Sequence, residues 1–416
     1  MANNSNRRNF LRGVTLAGIA SLAGCSSILE DSDSEPTTPG TGTGTDDGGN
    51  RPESTSIDTF EDVSNWSVQE GKLRTTTEQE AFEGSQSIVL EPKEDSNQPI
   101  AKISRSFGSE PLDLSNRDLS LVAKVAEPDD VRIRAEVVAP AHSSMLTAVR
   151  YIPLELDDWV RFDLGYTEQN GDPVMNTVSA INLQIGPMTE EESFSVSFDD
   201  LRSYPKAKRG AVMIQFDDGH RSAYEEAFGI LQEFDMPASV AVIPDAVGAS
   251  DRVTEAMMTE MANAGWNMIG HASELLPEHS PEEQKRILEQ TQQYLRSKGH
   301  DAGANHFVAP YSRVDASALK HIAELFTTGY LFGASPNNAA QPSNPAFLSR
   351  VQGGSIEGTK QIVDMAEAQH QLAVISYHEI GGDAVSVSDL REIIEYIDSK
   401  EVDVIKPTQF ASSATL

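Results

Sequence analysis

Apolar and polar positions alternate with one period in the first folded half of this chain and with another in the second. Between about residues 56 and 205 the period is two. Val131-Arg132-Ile133-Arg134-Ala135-Glu136-Val137, Ile181-Asn182-Leu183-Gln184-Ile185 and Phe194-Ser195-Val196-Ser197-Phe198 each set apolar side chains against polar ones. That is the pattern of a strand with one buried and one wet face. Turn-forming stretches, among them Asn170-Gly171-Asp172-Pro173 and Gly186-Pro187, separate the runs, and no stretch has helical periodicity. The pattern predicts an antiparallel β-sandwich over residues 56–205, the first folded domain of a multidomain chain.

From about residue 209 short apolar runs alternate with helical stretches. The runs are Val212 to Phe216, Ser239 to Ile243, Trp266 to Gly270, His306 to Ala309, Gly329 to Phe332, Leu372 to Tyr377 and Val402 to Ile405. The helical stretches between them are Ser222 to Phe234, Arg252 to Ala264, Pro281 to Ser297, Ala316 to Phe326, Thr359 to His370 and Ser388 to Asp398. Ser280-Pro281-Glu282-Glu283 is a helix start with proline at the first position and early acids, and Gly299 ends that helix. This alternation predicts a parallel, somewhat distorted (β/α) barrel over residues 209–411. In such a barrel the chemistry sits on the loops at the C-terminal ends of the strands.

The segment before the folded half reads as an address and a tether. Asn6-Arg7-Arg8-Asn9-Phe10-Leu11-Arg12 resembles the twin-arginine export signal, and Gly13 to Gly24 is apolar. That run is shorter than the ~20 residues that span a bilayer. Leu22-Ala23-Gly24-Cys25 resembles a lipobox, whose cysteine takes a lipid and becomes the mature N-terminus. Residues 1–25 are thus expected to be a lipoprotein signal, with the protein held on the outer face of the cell membrane through Cys25, or extracellular. Cys25 is the only cysteine, so no disulfide forms within one molecule. Residues 26–55 are rich in Asp, Ser, Thr and Gly with no apolar face to bury, and read as a solvated linker.

A net charge of −32 over 416 residues repels nucleic acid and excludes it as a partner. The acid is spread along the chain, a pattern that resembles proteins of salt-loving archaea, whose solvent screens the repulsion.

The candidate chemistry starts at Phe216-Asp217-Asp218-Gly219, two carboxylates at the end of an apolar strand. Adjacent carboxylates there can divide labour, one binding a metal and the other moving a proton. Asp-Asp pairs recur in this acidic chain, and Phe198-Asp199-Asp200-Leu201 copies the first three letters. The copy ends a sandwich strand, where a structural role, or at most calcium binding, is expected. Only Asp217-Asp218 opens a barrel. His271, Tyr311 and His378 fall after other barrel runs, so titratable residues recur at the edge where a barrel keeps its site.

Together these segments resemble the polysaccharide deacetylase family, the NodB-homology domain, over nearly all of 209–411. The matching segments are Gln215-Phe216-Asp217-Asp218-Gly219, Gly265-Trp266-Asn267-Met268-Ile269-Gly270-His271, Phe307-Val308-Ala309-Pro310-Tyr311-Ser312-Arg313-Val314-Asp315, Leu348-Ser349-Arg350 and Ile375-Ser376-Tyr377-His378. The resemblance implies a metal-dependent hydrolase of non-peptide carbon–nitrogen bonds that removes acetyl groups, chiefly N-acetyl, from a surface or extracellular polysaccharide. It implies a divalent cofactor, zinc by preference, held by Asp218 and His271. Asp217 would be the general base, the backbone N–H of Tyr311 would hold the oxyanion, His378 would protonate the leaving amine, and Arg350 would orient Asp217. The first domain resembles the jelly-roll modules joined to carbohydrate-active enzymes, which makes it a candidate sugar-binding module. Trp66, Trp159 and Tyr166 are read as core or inter-sheet residues of this domain, with stacking on sugar rings as the alternative.

The family places a second histidine four residues after the first, where this chain has Leu275. His279 is taken as the third metal ligand, with His220 or a water as alternatives. The third family motif also carries Val308 where many relatives have arginine. These departures keep two other readings open: a catalytically degenerate glycan-binding protein, and a hydrolase of another small carbon–nitrogen bond on the same fold.

Overall fold

The computed structural model describes residues 54–412, apart from 95–98, 128–129, 154–157, 188–192 and 383–384. The expected leader 1–25, with Cys25, and all but the last residues of the expected linker 26–55 lie outside the described residues. No described helix is long and apolar enough to cross a membrane.

The alternating half forms two antiparallel sheets. One runs in the order Lys72–Thr75, Ile88–Glu91, Ser195–Pro205, Arg117–Glu127 and Val160–Leu164, with Thr55–Asp58 also on Ser195–Pro205. The other runs Tyr166–Asn170, Met145–Pro153, Asp130–Val138, Ala180–Pro187, Ala101–Ser106 and Trp66–Glu70. The apolar members of each alternation, such as Leu121, Phe162 and Phe198 from the first sheet and Ile103, Ile133 and Leu183 from the second, meet in one cluster. Trp66 and Tyr166 are buried there and cannot stack on a sugar. The Trp66 ring lies on Phe60 and its Nε1 donates to Asp58. Trp159 is half-buried, edge-on to Phe82.

Asp199 and Asp200 are both buried at a break in the register of Ser195–Pro205. Asp199 Oδ2 accepts from the N–H groups of Phe82 and Glu83, and Asp200 pairs with Arg161 and Arg202. Every oxygen is directed at a protein donor, so the pair fixes loops.

In the second half, seven parallel strands close a barrel: Gly210–Phe216, Ser239–Val242, Asn267–His271, His306–Val308, Thr328–Phe332, Leu348–Gln352 and Gln371–Tyr377, the last pairing back on the first. Two assignments from the apolar runs change. Leu348–Gln352, too polar to stand out, is a barrel strand. Val402–Val404 instead lies beside the start of Gly210–Phe216, at Gly210 to Val212. That wedge leaves Ser239–Val242 paired with the same strand only at Gln215 and Phe216, so the ring is pried open at its N-terminal end and held at its C-terminal end. The helices lie near their expected places: Glu255–Asn263, Pro281–Ser297, Ala316–Leu325, Ile356–Gln369 and Val387–Asp398, while Ala223–Ala227 winds as a π-helical turn into Phe228–Glu233.

The two halves meet through a buried polar network. Asp118 accepts from Asn338 Nδ2 at 3.0 Å and from Gln371 Nε2 at 2.8 Å. Asp163 accepts from the N–H groups of Asn338 and Ser343. Burial pushes the Asp118 carboxyl up to about 7, with Lys206 at 3.8 Å opposing it. The folded chain therefore keeps a proton that the unfolded chain gives up above the ordinary value of 3.8. The stability this group contributes is complete below about pH 4 and is lost as the pH rises through about 7. Asp118→Asn keeps an acceptor and has no such proton to lose. Between about pH 4 and 8 the wild type should lose on the order of 4 kcal/mol more stability than Asp118→Asn. Urea unfolding of both proteins at the two pH values checks this; equal losses would mean that the buried carboxyl is ionised throughout.

Candidate active site

The site is assembled by strand ends. Gly210–Phe216 is buried along its whole length, and the Asp217 N–H donates to the Tyr377 carbonyl at 2.7 Å, which carries the pairing one residue past the strand. The chain then turns through two left-handed residues, Asp218 at φ 62° and Gly219 at φ 60°. Aspartate tolerates that region better than most side chains, and glycine has no Cβ to clash. The turn buries Asp217, 2% exposed, and leaves Asp218 half open.

The first carboxylate is held by a cation. Asp217 Oδ1 accepts from Arg350 Nη1 at 2.7 Å, and the guanidinium is itself 5% exposed. Gln215 Oε1 lies 3.4 Å from the same nitrogen, so the guanidinium has a second acceptor beside the carboxylate. His378 Nε2 stands 3.7 Å from the other oxygen, on the solvent side.

The second carboxylate faces His271. Its Nδ1 lies 2.8 Å from the Val308 carbonyl and must donate to it. Nε2, 3.2 Å from Asp218 Oδ1, must then either carry a proton of its own or share a cation with the carboxylate. The hydrogen bond with His271 holds the Asp218 carboxyl below the usual carboxylate range against the opposing effect of burial, and His378 and Arg252 add to it.

Asp217, Asp218, His271, Arg350 and His378 line one cavity of about 810 Å³, with Tyr311, Ser312, Phe332, Gln352, Ser376, Asp245 and Arg252. Tyr311 stands at its mouth, 79% exposed, and both it and Ser312 have left-handed backbones at φ 52° and 57°. Consecutive non-glycine residues in that region are uncommon and cluster at functional sites.

Asp217, Asp218, His271, Tyr311, Arg350 and His378 are therefore brought together. His279 is not. It caps the 3₁₀ turn Leu276–Glu278, whose Leu276 is buried in the core, and its carbonyl accepts from Gln284. The turn spends the residues after His271 on packing, and His279 is absent from the cavity wall. His220 is absent from it too, its Nδ1 bonded to Ser222 Oγ at 2.8 Å. Asp245 and Arg252 were missed. Asp245 follows the strand Ser239–Val242 as closely as other site residues follow theirs, and the strand-end rule alone would have found it.

The donor set can be weighed against a divalent cation. Asp218 Oδ1 and His271 Nε2 are separated by 3.2 Å, close to the edge of a tetrahedron with bonds of about 2.0–2.1 Å. The Nδ1–carbonyl bond fixes the tautomer that leaves Nε2 free, as in metal-ligating histidines. The pair fits two ligand positions. Among the described residues no group of three or more His, Cys, Asp or Glu side chains is placed to hold a metal ion.

Comparison with known proteins bears on this geometry. Residues 204–329 match the model of the family described as polysaccharide deacetylase. The Bacillus subtilis (strain 168) protein YxkH, which carries the same family name, is 26% identical over 151 residues, or 35% of this chain and 53% of its own length. The chain thus spans about half the length of that curated relative. Among solved structures, the Xyl-CE4 domain of a multidomain xylanase from the hindgut metagenome of Trinervitermes trinervoides is 16% identical, with a TM-score of 0.38 over 49% of this chain and 91% of that one. A family 4 carbohydrate esterase from Streptomyces lividans in complex with acetate is 15% identical, with a TM-score of 0.36 over 47% of this chain and 92% of that one. The family match ends before Arg350 and His378, which stand on geometry alone. The match to the polysaccharide deacetylase model takes in the part of the barrel that carries Asp217, Asp218, His271 and Tyr311.

Proposed function

We propose that this protein is a hydrolase that removes acetyl groups, chiefly N-acetyl, from an extracellular polysaccharide. The observation that carries the reading is the convergence of a buried, cation-held carboxylate, an exposed imidazole and an Asp–His donor pair in one open cavity. A degenerate barrel places no such demand on the aim of its side chains, so the convergence counts against a purely glycan-binding role.

Asp217 is the general base. Arg350 holds its Oδ1, which leaves Oδ2 to take a proton from an attacking water in the cavity. His378, 58% exposed beside it on the solvent side, delivers a proton to the departing nitrogen. An amine is a poor leaving group unless protonated, so the two groups must act in turn. The Tyr311 N–H, in its left-handed turn, is the candidate donor to the developing oxyanion. Asp218 and His271 would hold a divalent cation, zinc by preference, with water or substrate filling the remaining positions. The chemistry such a cation supplies is Lewis-acid polarisation of the acetyl carbonyl. The first domain is read as a jelly-roll-like sandwich, and the leader as an export and lipidation signal that would fix the enzyme outside the membrane through Cys25.

The test is acetate release from N-acetylglucosamine oligomers, together with metal analysis of the purified protein. Acetate release that EDTA abolishes and Zn²⁺ or Co²⁺ restores is the expected outcome. Protein that takes up no divalent ion and releases no acetate would return the glycan-binding reading to first place. With two protein ligands in place of three, the bound ion should be lost on dialysis more readily than from a complete site.

A further inference from the structure

The outer face of the second sheet carries a groove next to the cavity. Register places Arg132 opposite Tyr151, and Arg134 between Val149 and Gln184, all on the face turned away from the apolar cluster. Their neighbours Ile133, Ala135 and Ile185 point the other way and are fully buried. With Glu168 these side chains line a hollow of about 320 Å³, at the lower end of the ~300–1,000 Å³ typical of ligand sites.

Two contacts join this hollow to the cavity. The Tyr151 N–H donates to the Gly333 carbonyl at 3.0 Å, which ties the sheet to the loop after the barrel strand Thr328–Phe332. The Tyr151 ring then meets the Phe332 ring, centroids 5.8 Å apart and planes tilted by 33°. Phe332 lines the cavity and Tyr151 lines the hollow. An aromatic pair, one ring from each half of the molecule, therefore stands between the two concavities. Both rings are only half-buried.

Charge distinguishes one residue of the hollow. Arg134 pairs with Glu136 and Glu168, and Lys102 with Glu136. Arg132 is exposed and has no ion-pair partner among the described residues, in a chain whose net charge is −32. An exposed cation beside an aromatic platform suits an anionic group on a partner of extended shape.

We propose that this sheet face is a second binding segment of the enzyme, which takes an acidic stretch of the same polysaccharide whose acetyl group lies in the cavity. Sugar rings pass over Phe332 and Tyr151, and Arg132 receives a carboxylate carried by a sugar beyond them. The proposal rests on the deacetylase reading and narrows its substrate class to glycans bearing acidic sugars.

The experiment measures binding to Asp217→Asn protein, so that turnover does not interfere. The probes are an oligosaccharide alternating glucuronate with N-acetylglucosamine, the neutral hexamer of N-acetylglucosamine, and the neutral dimer, which is too short to leave the cavity. The acidic probe should bind tightest. Adding Arg132→Gln should weaken it by about tenfold and leave the neutral hexamer unchanged, as expected for one charge-assisted contact. Adding Tyr151→Leu should weaken both long probes by about fivefold and leave the dimer unchanged, as expected for a lost ring contact. Arg132 is exposed, so that variant will fold; the melting temperature of the Tyr151→Leu protein checks the other. Affinities of the long probes that neither substitution moves would overturn the proposal. So would tighter binding of the neutral hexamer than of the acidic probe. Failure of the deacetylase reading would show separately, as absent acetate release from wild-type protein.

Discussion

Asp217→Asn should lower kcat for acetate release by about 10²–10⁴-fold, the usual contribution of a positioned general base, with little change in KM. Asparagine keeps the shape of the side chain and can still accept from Arg350 Nη1 through its carbonyl. It cannot take a proton from water. The substitution also leaves a guanidinium that is 5% exposed facing a neutral amide. Hydrogen bonds to charged partners are worth about 1.5–3 kcal/mol, so a loss of about 2 kcal/mol in stability should accompany the loss of turnover. Steady-state kinetics and denaturant unfolding of the same preparation read the two effects separately. Activity within tenfold of wild type would remove Asp217 as the base, and a large rise in KM with kcat intact would make it a substrate-binding residue. Asp218→Asn tests the neighbour: it should lower metal retention, which Asp217→Asn should leave alone.

How much of this could be read from the chain depends on what kind of interaction placed each part. The apolar runs Val212 to Phe216 and Leu372 to Tyr377 became adjacent central strands because their side chains are buried on both faces, and a continuous apolar run is the signature of that environment. Leu348–Gln352 escaped notice for the opposite reason. Its Arg350 points into the site rather than into a core, so the strand that delivers the partner of Asp217 is the one whose pattern looks least like a strand. Val402–Val404 has the right composition but pairs outside the ring, and composition says nothing of which neighbour a strand takes. Alternation separated inward Ile133 from outward Arg132 correctly, yet it could not show that the outward face runs on into the cavity. That continuity depends on how two halves distant in sequence dock through Asp118, Asn338 and Gln371.

The site residues divide the same way. His271 ends a strand and Asp217, Asp218 and His378 directly follow theirs, and a strand's end fixes where its last and next residues go. His279 sits eight residues beyond His271 in a loop, where the burial of Leu276 decides the path and carries the imidazole off the cavity wall. Nearness in sequence was a poor guide there because a single apolar anchor outweighed it. Arg252 reaches the cavity from the segment before the helix Glu255–Asn263, with no motif to mark it, although it adds to the field on Asp218.

Arg350→Met should damage the protein more broadly than any change to the carboxylates. Methionine fills similar volume but supplies no charge, so Asp217, 2% exposed, would be left with the His378 imidazole, at 3.7 Å, in place of a guanidinium. Removing one partner of a buried ion pair typically costs about 3–5 kcal/mol, because the other charge stays behind uncompensated. A buried carboxyl in that position escapes the penalty by taking up a proton, and a protonated carboxyl is no base. The variant should therefore unfold earlier in denaturant, be nearly inactive at neutral pH, and regain part of its kcat as the pH is raised and the proton is driven off. Arg350→Lys should recover most of the stability, since a compact ammonium restores the charge. It should recover less of kcat, since a flexible ammonium does not fix its donor as the rigid guanidinium fixes Nη1 against Asp217 and Gln215. The pair of pH–rate profiles separates the roles. If Arg350 only stiffens the barrel, both variants will lose activity in proportion to stability with profiles of unchanged shape. If it holds the base ready, the methionine profile will shift to higher pH and the lysine profile will lie between it and wild type.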